Sequence, residues 1–514
     1  MSKPLNPNQI TPDLPDLVRR IDRAVIYDLA KRTPCELAPQ ISTPTHRIWL
    51  KREDMQDVFS FKIRGAANRI ARLTPEQLGK GVCAASAGNH AQGMAASARH
   101  YGTKAVIFMP VTTPRIKVDA VESFGAETRL VGDNYDAACD AAIAYAKDTG
   151  AVFVHPFDEI DVIAGQGTVG KEILTAVPNP AAVYVCTGGG GLVSGVGAYV
   201  KAKSANSQII AVEAAGAPTL AKALEAGQPV SLKSVDGFAD GTAVRRIGDL
   251  TFAISKQVVD RSELVSNDAI SAAVRQVFQI TRTLVEPSGA QALAGCLQDI
   301  AGGTAPEGDL VVTISGANVN FDRVGHIVER AELGAGGEML FAASIAEKAG
   351  AFLSFINALG TRAVTEFNYR YRPTDTAHVL VGVKISHADE RDSVLTDMQA
   401  AGIETFDLSN DSLSKRHLRH MVGGRGSADV AEVIYSFEFP ERPGALADFL
   451  RALNNRWNIS LFHYRNHGAS SGQVLCGFQV PNDDIDALED SLRATAYPME
   501  RETDNMAYKA FLQG

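Results

Sequence analysis

Four consecutive glycines, Gly188, Gly189, Gly190 and Gly191, follow the apolar run 181–186 and lead into Leu192-Val193-Ser194-Gly195. A buried strand that ends in residues without side chains, just ahead of a helix, leaves backbone N–H groups free to surround an anion. The loop lacks the Lys-Ser/Thr pair of a nucleoside-triphosphate loop and the Gly-x-Gly-x-x-Gly spacing of a pyrophosphate loop. It therefore suits a single phosphate group, with close helix-on-sheet packing as the other use of such glycines. A second element is Ser60-Phe61-Lys62-Ile63, where an amine between two apolar residues opens an expected helix. Partial desolvation would lower its pKa and free its lone pair for imine formation, although most lysines are simply solvated. A third is Ser86-Ala87-Gly88-Asn89-His90, which sets a hydroxyl, an amide and backbone donors at a helix expected to start near Ala91. That arrangement suits a carboxylate or a phenolic oxygen, and equally the capping of that helix by Ser or Asn. Ser315-Gly316-Ala317-Asn318 adds one more hydroxyl after an apolar run.

The elements that must position these groups are legible in the alternation of short apolar runs with helical patterns from Ile48 to about Asn320, the mark of a mostly parallel α/β sheet. Residues 48–51, 82–85, 105–109, 152–154, 183–186, 209–213 and 310–314 read as strands. Ile270, Val274, Val277, Phe278, Thr281 and Leu284 share one helical face, with Ser266 or Asp268 available to cap its start. Ligands of open sheets sit at the carboxyl ends of the strands, so the loops after Ala85, Cys186 and Ile314 should converge.

In their order along the chain, Ser60-Phe61-Lys62, the 86–90 loop, the tetraglycine and Ser315-Gly-Ala-Asn318 resemble the fold-type II pyridoxal-phosphate enzymes, specifically the serine/threonine dehydratases. The resemblance implies a tryptophan synthase beta-like catalytic domain over residues 1–330, with two open twisted sheets and a small cofactor subdomain at about 58–160. It makes Lys62 the lysine that bonds pyridoxal 5′-phosphate, next to Phe61, with Asn89 on the cofactor's 3′-oxygen, Gly188 to Leu192 on its phosphate and Ser315 facing its ring nitrogen. A hydroxyl there leaves the ring a weak electron sink, which suits β-elimination better than transamination. Ser86, with Ala87, Gly88 and His90, falls on the substrate loop, and Gly241 on the substrate side of the cofactor. The implied reaction takes L-threonine to 2-oxobutanoate and ammonia, and L-serine to pyruvate, with Lys62 as general base. Rivals are a synthase-type lyase on the same fold and a catalytically silent amino-acid sensor. Glu286 reads as an acid favoured at a helix start. Glu213 is followed by Ala-Ala-Gly-Ala-Pro-Thr with no second carboxylate, so no metal site is expected.

Past Asn320 a helix ending near Leu333 gives way to Gly334-Ala335-Gly336-Gly337, a junction of linker composition set at 331–337. The remainder, 338–514, holds an internal repeat: 345–352 matches 439–446, Phe355 aligns with Phe449, Leu359 with Leu453, Val364 with Ile459 after one insertion, and 367–370 with 462–465. Each copy, at about 338–410 and 432–512, reads as a ferredoxin-like module with strands at 379–385 and 474–480. The pair resembles the ACT-like regulatory part of biosynthetic threonine deaminases, which implies inhibition by isoleucine, opposition by valine and a homotetramer. Effector positions are expected near the glycine turns at Gly350 and Gly444, with Phe352, Glu441, Leu446 and Tyr464 nearby.

The bulk composition bounds the rest. A net charge of −9 argues against nucleic acid as the main partner. Six scattered cysteines without a C-x-x-C pair indicate reduced thiols and no zinc site. Residues 1–16 lack the apolar core of an export signal, so a cytoplasmic enzyme is expected. The uncharged window 181–200 contains six glycines, which disfavours a membrane span.

Overall fold

The computed structural model describes residues 12–334 and, beyond them, 338–346, 355, 358–360, 362, 364–369, 376–385, 389–411, 413–414, 418, 432–440, 449, 452–453, 456–465 and 471–512. The chain divides into two compact units, Met1–Ala331 and Glu332–Gly514.

In the first unit the larger sheet runs in the order Cys35–Leu37, His46–Arg52, Gly308–Ile314, Ala182–Cys186, Gln208–Ala214, Arg261–Val265. Only the first pair is antiparallel. Every residue of Ala182–Cys186 is buried, as expected for a parallel strand covered on both faces. A smaller, all-parallel sheet orders Glu127–Leu130, Ala105–Met109, Val82–Ala85 and Val152–Phe153. Every strand expected from the apolar runs is present. Cys35–Leu37, Glu127–Leu130 and Arg261–Val265 were not expected, because they are half-exposed edge strands with polar residues. Ser266, not Asp268, caps the helix Asn267–Thr281: its hydroxyl accepts from the Ala269 amide at 3.1 Å, whereas Asp268 pairs with Arg330 at 2.6 Å. The window 181–200 is a strand, a loop and the start of the helix Gly191–Lys203, and among the described residues no helix is long and apolar enough to cross a membrane.

The second unit contains two four-stranded antiparallel sheets of identical order. One is Val364–Tyr369, Thr376–Lys384, Glu338–Ala346, Glu404–Asp407; the other is Asn458–Arg465, Ser471–Gln479, Glu432–Pro440, Met499–Arg501. Both copies carry a register shift at the equivalent place, between Val364 and Glu366 and between Ile459 and Leu461. Phe355 and Phe449, aligned by the repeat, are each fully buried in the core of their own module. A third cluster, including Leu340, Leu380, Leu413, Ile434, Leu475 and Tyr508, draws on both modules. Residues 335–337, Gly350, Phe352, Glu441, Gly444 and Leu446 lie outside the described residues, and Tyr464 is placed only as a strand residue opposite Val474.

What sets distances around the tetraglycine loop is the helix Ile160–Ala176. On one side it meets the helix Lys62–Ile70 so closely that a Cβ on Gly165 would stand 2.5 Å from the Arg64 carbonyl oxygen. On the other it meets Gly191–Lys203, where a Cβ on Gly195 would lie 2.6 Å from the Gly167 nitrogen. Contact of backbone on backbone leaves no side chain to adjust, so the spacing is rigid. Beside this contact Arg64, fully buried, binds Glu53 and Glu172 at 2.7 Å each, and Lys51 binds Glu172 at 2.6 Å. Tyr27 donates to Glu172 at 2.8 Å. Burial alone would raise the Glu53 carboxyl; Arg64 and Lys51 overcome it and hold Glu53 down at about 2. Replacing Arg64 by methionine strands two buried carboxylates with one lysine, and should cost about 3–5 kcal/mol of unfolding free energy measured in denaturant. A loss below about 1 kcal/mol would show that the network carries little of the stability.

Candidate functional site

The three loops expected to converge contribute to one pocket, and segments at Lys62, Phe157, Gly241 and Glu286 join them. Phe61, Lys62, Asn89, Gly188 to Leu192, Gly241 and Ser315 line it, together with Phe157, Cys186, Thr242, Glu286 and Ser288. Ser86, Ala87, Gly88 and His90 are not among the lining residues.

Phe59, in the left-handed region at φ 54°, turns the chain into Ser60-Phe61-Lys62. The segment is tied across to the 315–317 loop: the Phe61 amide donates to the Ser315 carbonyl at 3.2 Å and the Ala317 amide to the Phe59 carbonyl at 2.8 Å. The helix Asn89–His100 packs on the same corner, since a Cβ on Gly93 would be 3.1 Å from the Lys62 carbonyl. Lys62 Nζ donates to the Pro156 carbonyl at 2.9 Å. Burial pushes its pKa down to about 8, against the pull of Cys186 and Glu286. No carboxylate pairs with this amine among the described residues.

The tetraglycine loop is tightly packed at its Cα positions. A Cβ on Gly188 would fall 2.5 Å from the Thr242 carbonyl oxygen, one on Gly189 2.4 Å from the Phe157 ring, and Gly190 has φ +89°. Thr219 and Thr251 hydroxyls donate to the Gly188 and Gly189 carbonyls at 3.0 and 2.7 Å. The amides of Gly188, Gly189 and Gly190 donate to no backbone carbonyl among the described residues. Close packing and an anion cradle thus coexist in one loop, because the packing closes the Cα positions against Thr242 and Phe157, which also line the pocket, and leaves the amides without backbone acceptors.

At the opposite end, Asn89 is gripped from two sides. Its Nδ2 donates to Glu286 Oε1 at 2.6 Å, and its Oδ1 accepts from Asn318 Nδ2 at 2.7 Å. The helix starts at Asn89, two residues earlier than expected, and neither candidate caps it: Gly88 is the cap residue, and Ser86 Oγ accepts from the Gly88 amide at 3.3 Å. Glu286 corrects the reading of an acid that serves a helix start. It is the cap residue of Pro287–Ala301, yet its carboxylate makes no capping bond and enters the pocket at 3% exposure. Burial, reinforced by the charge of Asp240, pushes its carboxyl up to about 7. Ser315 Oγ donates to the Ser288 carbonyl at 3.2 Å, and the buried Ser288 Oγ has no partner among the described residues. His90 is buried behind the pocket with Nε2 3.2 Å from the Val154 carbonyl; burial, with the Lys62 charge adding to it, pushes its pKa down to about 3. Glu213 is saturated by the chain itself, accepting from the Leu220 and Ala221 amides and the Ser262 hydroxyl at 2.7, 2.8 and 2.9 Å.

Sequence reasoning missed the loop His155-Pro156-Phe157-Asp158. Asp158 accepts three amides, Asp249, Leu250 and Thr251, at 3.0 Å each, and so caps the helix Asp249–Val258. His155 Nδ1 accepts from the Asp158 amide at 2.8 Å, which shapes the turn that presents Pro156 to Lys62 and Phe157 to the glycines. The signal was available, since this loop follows the strand Val152–Phe153 and the carboxyl-end rule applied to it as well.

Comparison with known proteins converges on the same chemistry. Residues 26–316 match the family described as pyridoxal-phosphate dependent enzyme, and 329–418 and 423–512 each match the C-terminal regulatory domain of threonine dehydratase. The biosynthetic L-threonine dehydratase of Burkholderia multivorans is 46% identical over 97% of this chain and 99% of its own length. That of Escherichia coli is 45% identical over 98% of each. Among solved structures, the processed form of threonine deaminase isoform 2 from Solanum lycopersicum aligns with a TM-score of 0.61 and 41% identity, covering 62% of this chain and 93% of its own. Serine racemase from Dictyostelium discoideum aligns with a TM-score of 0.56 and 31% identity, covering 61% of this chain and 100% of its own. With its amine, its anion cradle and a duplicated regulatory domain in one near-full-length likeness, this chain belongs to the pyridoxal-phosphate-dependent threonine dehydratases of the biosynthetic type.

Proposed function

We propose that this chain deaminates L-threonine to 2-oxobutanoate and ammonia, and L-serine to pyruvate, as the committed step of isoleucine biosynthesis. The observation that carries the reading is the gathering of Lys62, Asn89, the tetraglycine loop and Ser315 around one pocket. These residues fit pyridoxal 5′-phosphate: a desolvated amine, amides without backbone acceptors, and a buried hydroxyl without a partner at Ser288. Lys62 would bond the cofactor beside Phe61, Gly188 to Leu192 would hold its phosphate, Asn89 its phenolic oxygen and Ser315 its ring nitrogen. Bound there, the cofactor supplies the electron sink that acidifies the Cα–H of an amino acid.

The chain's own residues supply the rest. With a pKa of about 8, the Lys62 amine is partly unprotonated near neutral pH and takes the Cα proton, then returns a proton to the departing β-hydroxyl. The Ser86–Gly88 turn, at the helix start, orients the substrate carboxylate. Asn89 keeps a fixed amide orientation because Glu286 and Asn318 hold its two ends. The Ser315 hydroxyl, turned from the Ser288 carbonyl, would donate its one proton to a neutral ring nitrogen and so favour elimination.

The C-terminal modules bind isoleucine as inhibitor and valine as its opponent, ligands that differ by one methylene, for which a pocket discriminates by about 1–3 kcal/mol. The effector positions stay those of the glycine turns at Gly350 and Gly444, with Phe352, Glu441, Leu446 and Tyr464. The family likeness supports a cytoplasmic homotetramer.

Lys62→Ala should abolish 2-oxobutanoate formation and the borohydride-fixable cofactor together, and appreciable turnover in that variant would defeat the assignment. Chains ending at Gly334 should stay active and lose their response to isoleucine, whereas retained inhibition would place the effector site in the first unit. Glu286 gives a pH signature. Its pKa in the fold is raised from 4.5 to about 7, so it contributes stability in full below about pH 4.5 and loses that contribution as pH rises through about 7. In cofactor-free protein, Glu286→Gln should therefore flatten the fall in unfolding free energy across this window, by up to about 3 kcal/mol. Parallel pH profiles for the two proteins would show that the carboxyl titrates normally.

A further inference from the structure

The loop Gly237-Phe238-Ala239-Asp240-Gly241-Thr242 forms one wall of the pocket, and most of it is fixed to the larger sheet. Before it, Asp236 Oδ2 accepts from Asn267 Nδ2 at 2.7 Å and Oδ1 from the Phe238 amide at 2.8 Å. At its far end the Thr242 hydroxyl donates to Gln291 Oε1 at 2.8 Å. In the middle Phe238 lies 5.7 Å from the Arg323 guanidinium and 5.5 Å from that of Arg330, and Arg323 Nη2 donates to the Phe238 carbonyl. Arg323 stands just before the helix Val324–Gly334, in which the chain reaches the boundary of its first unit.

Asp240 is different, because it reaches the other wall. Its Oδ2 is 2.7 Å from Lys117 Nζ, and its Oδ1 is 3.3 Å from Arg323 Nη1. Lys117 belongs to the helix Arg115–Glu122, whose Val118 and Val121 are buried in the core around the smaller sheet. That sheet's strand Val82–Ala85 carries the Ser86–Asn89 loop. One carboxylate therefore serves two cations, one from each wall. The Arg245–Asp136 pair, 3.7 Å apart, is 57% and 72% exposed, against 23% and 34% for Lys117 and Asp240. Screening leaves a pair as exposed as the former little to contribute, and the partly sheltered one more. The charges are also felt inside the pocket, where Asp240, Lys117 and Arg323 all act on Glu286.

We propose that Asp240 is a positioning residue for substrate binding: with Lys117 and Arg323 it straps the smaller-sheet subdomain to the 237–242 loop, so that both walls close on the amino acid together. This rests on reading the pocket as the threonine site. The amine and Ser315 are held by other elements, and the Thr242 end of the loop, which backs Gly188, is pinned separately by Gln291, so the strap bears first on substrate capture. Losing a closing contact weakens the bound geometry more than the chemical step once the site is filled.

Steady-state kinetics of the holoenzyme with L-threonine test this in K117M, D240N, their double variant and K117R. Each single loss should raise KM about three- to ten-fold with kcat changed less than about two-fold and the cofactor absorbance spectrum unaltered. The double variant should be no worse than the poorer single variant, and K117R should restore KM. Hydrogen exchange of amides 237–242 in substrate-free holoenzyme should be faster in K117M, a reading that needs no turnover. Unchanged KM in K117M, a fall confined to kcat, additive losses, or unaltered exchange would each overturn the strap. Should D240N fail to fold, K117M and K117R still decide. A wild-type holoenzyme inert toward threonine would defeat the functional reading instead, with the exchange measurement still judging the strap.

Discussion

The contact on which the site depends is backbone against backbone along the helix Ile160–Ala176. Gly165 receives the helix that Lys62 opens, and Gly167 receives the helix whose start is the tetraglycine loop. An amine and an anion cradle are thereby held at a set separation without any side chain that could relax. The buried Arg64–Glu53–Glu172–Lys51 cluster locks the same joint electrostatically. Two cations and two carboxylates balance there, which makes burial of all four tolerable.

Within the pocket, burial is used in opposite directions on acids and bases. Lys62 is pushed down toward neutrality, while Glu286 is pushed up toward it. The same desolvation that makes the amine available keeps a carboxyl beside Asn89 from carrying a full charge at neutral pH. His90 and His155, held low by burial, add no positive charge near the lysine. The result is a pocket whose own charges are nearly spent, with amides and not a fixed cation at its glycine end.

In the second unit duplication has preserved backbone detail more closely than side chains. Ser409 Oγ accepts from the Leu340 amide at 3.2 Å and Thr503 Oγ1 from the Ile434 amide at 3.0 Å, the same closing bond in each copy. Across the two copies Asn505 Nδ2 donates to Asp411 Oδ2 at 3.3 Å. The cores differ: Ala343 and Ile345 in the first module face the places of Phe437 and Phe439 in the second. Two modules of one topology are thus packed differently.

Legible in the sequence alone were the strands of both sheets, though not the edge strands Cys35–Leu37, Glu127–Leu130 and Arg261–Val265, together with the convergence of the loops after Ala85, Cys186 and Ile314 and the module repeat down to the Phe355–Phe449 alignment. Apolar runs, glycine clusters and internal similarity are local signals, and burial on both faces leaves them little ambiguity. Tertiary structure decided what the polar residues do. Glu286 stood at a helix start, where a capping carboxylate is the local expectation, and only the approach of Asn89 from another sheet turned it into the pocket. Asp158, Asp240 and Lys117 have partners 83 to 123 residues away, so no short-range spacing marks them. A charged side chain finds its function from what folding brings within about 3 Å, and sequence spacing does not encode that meeting.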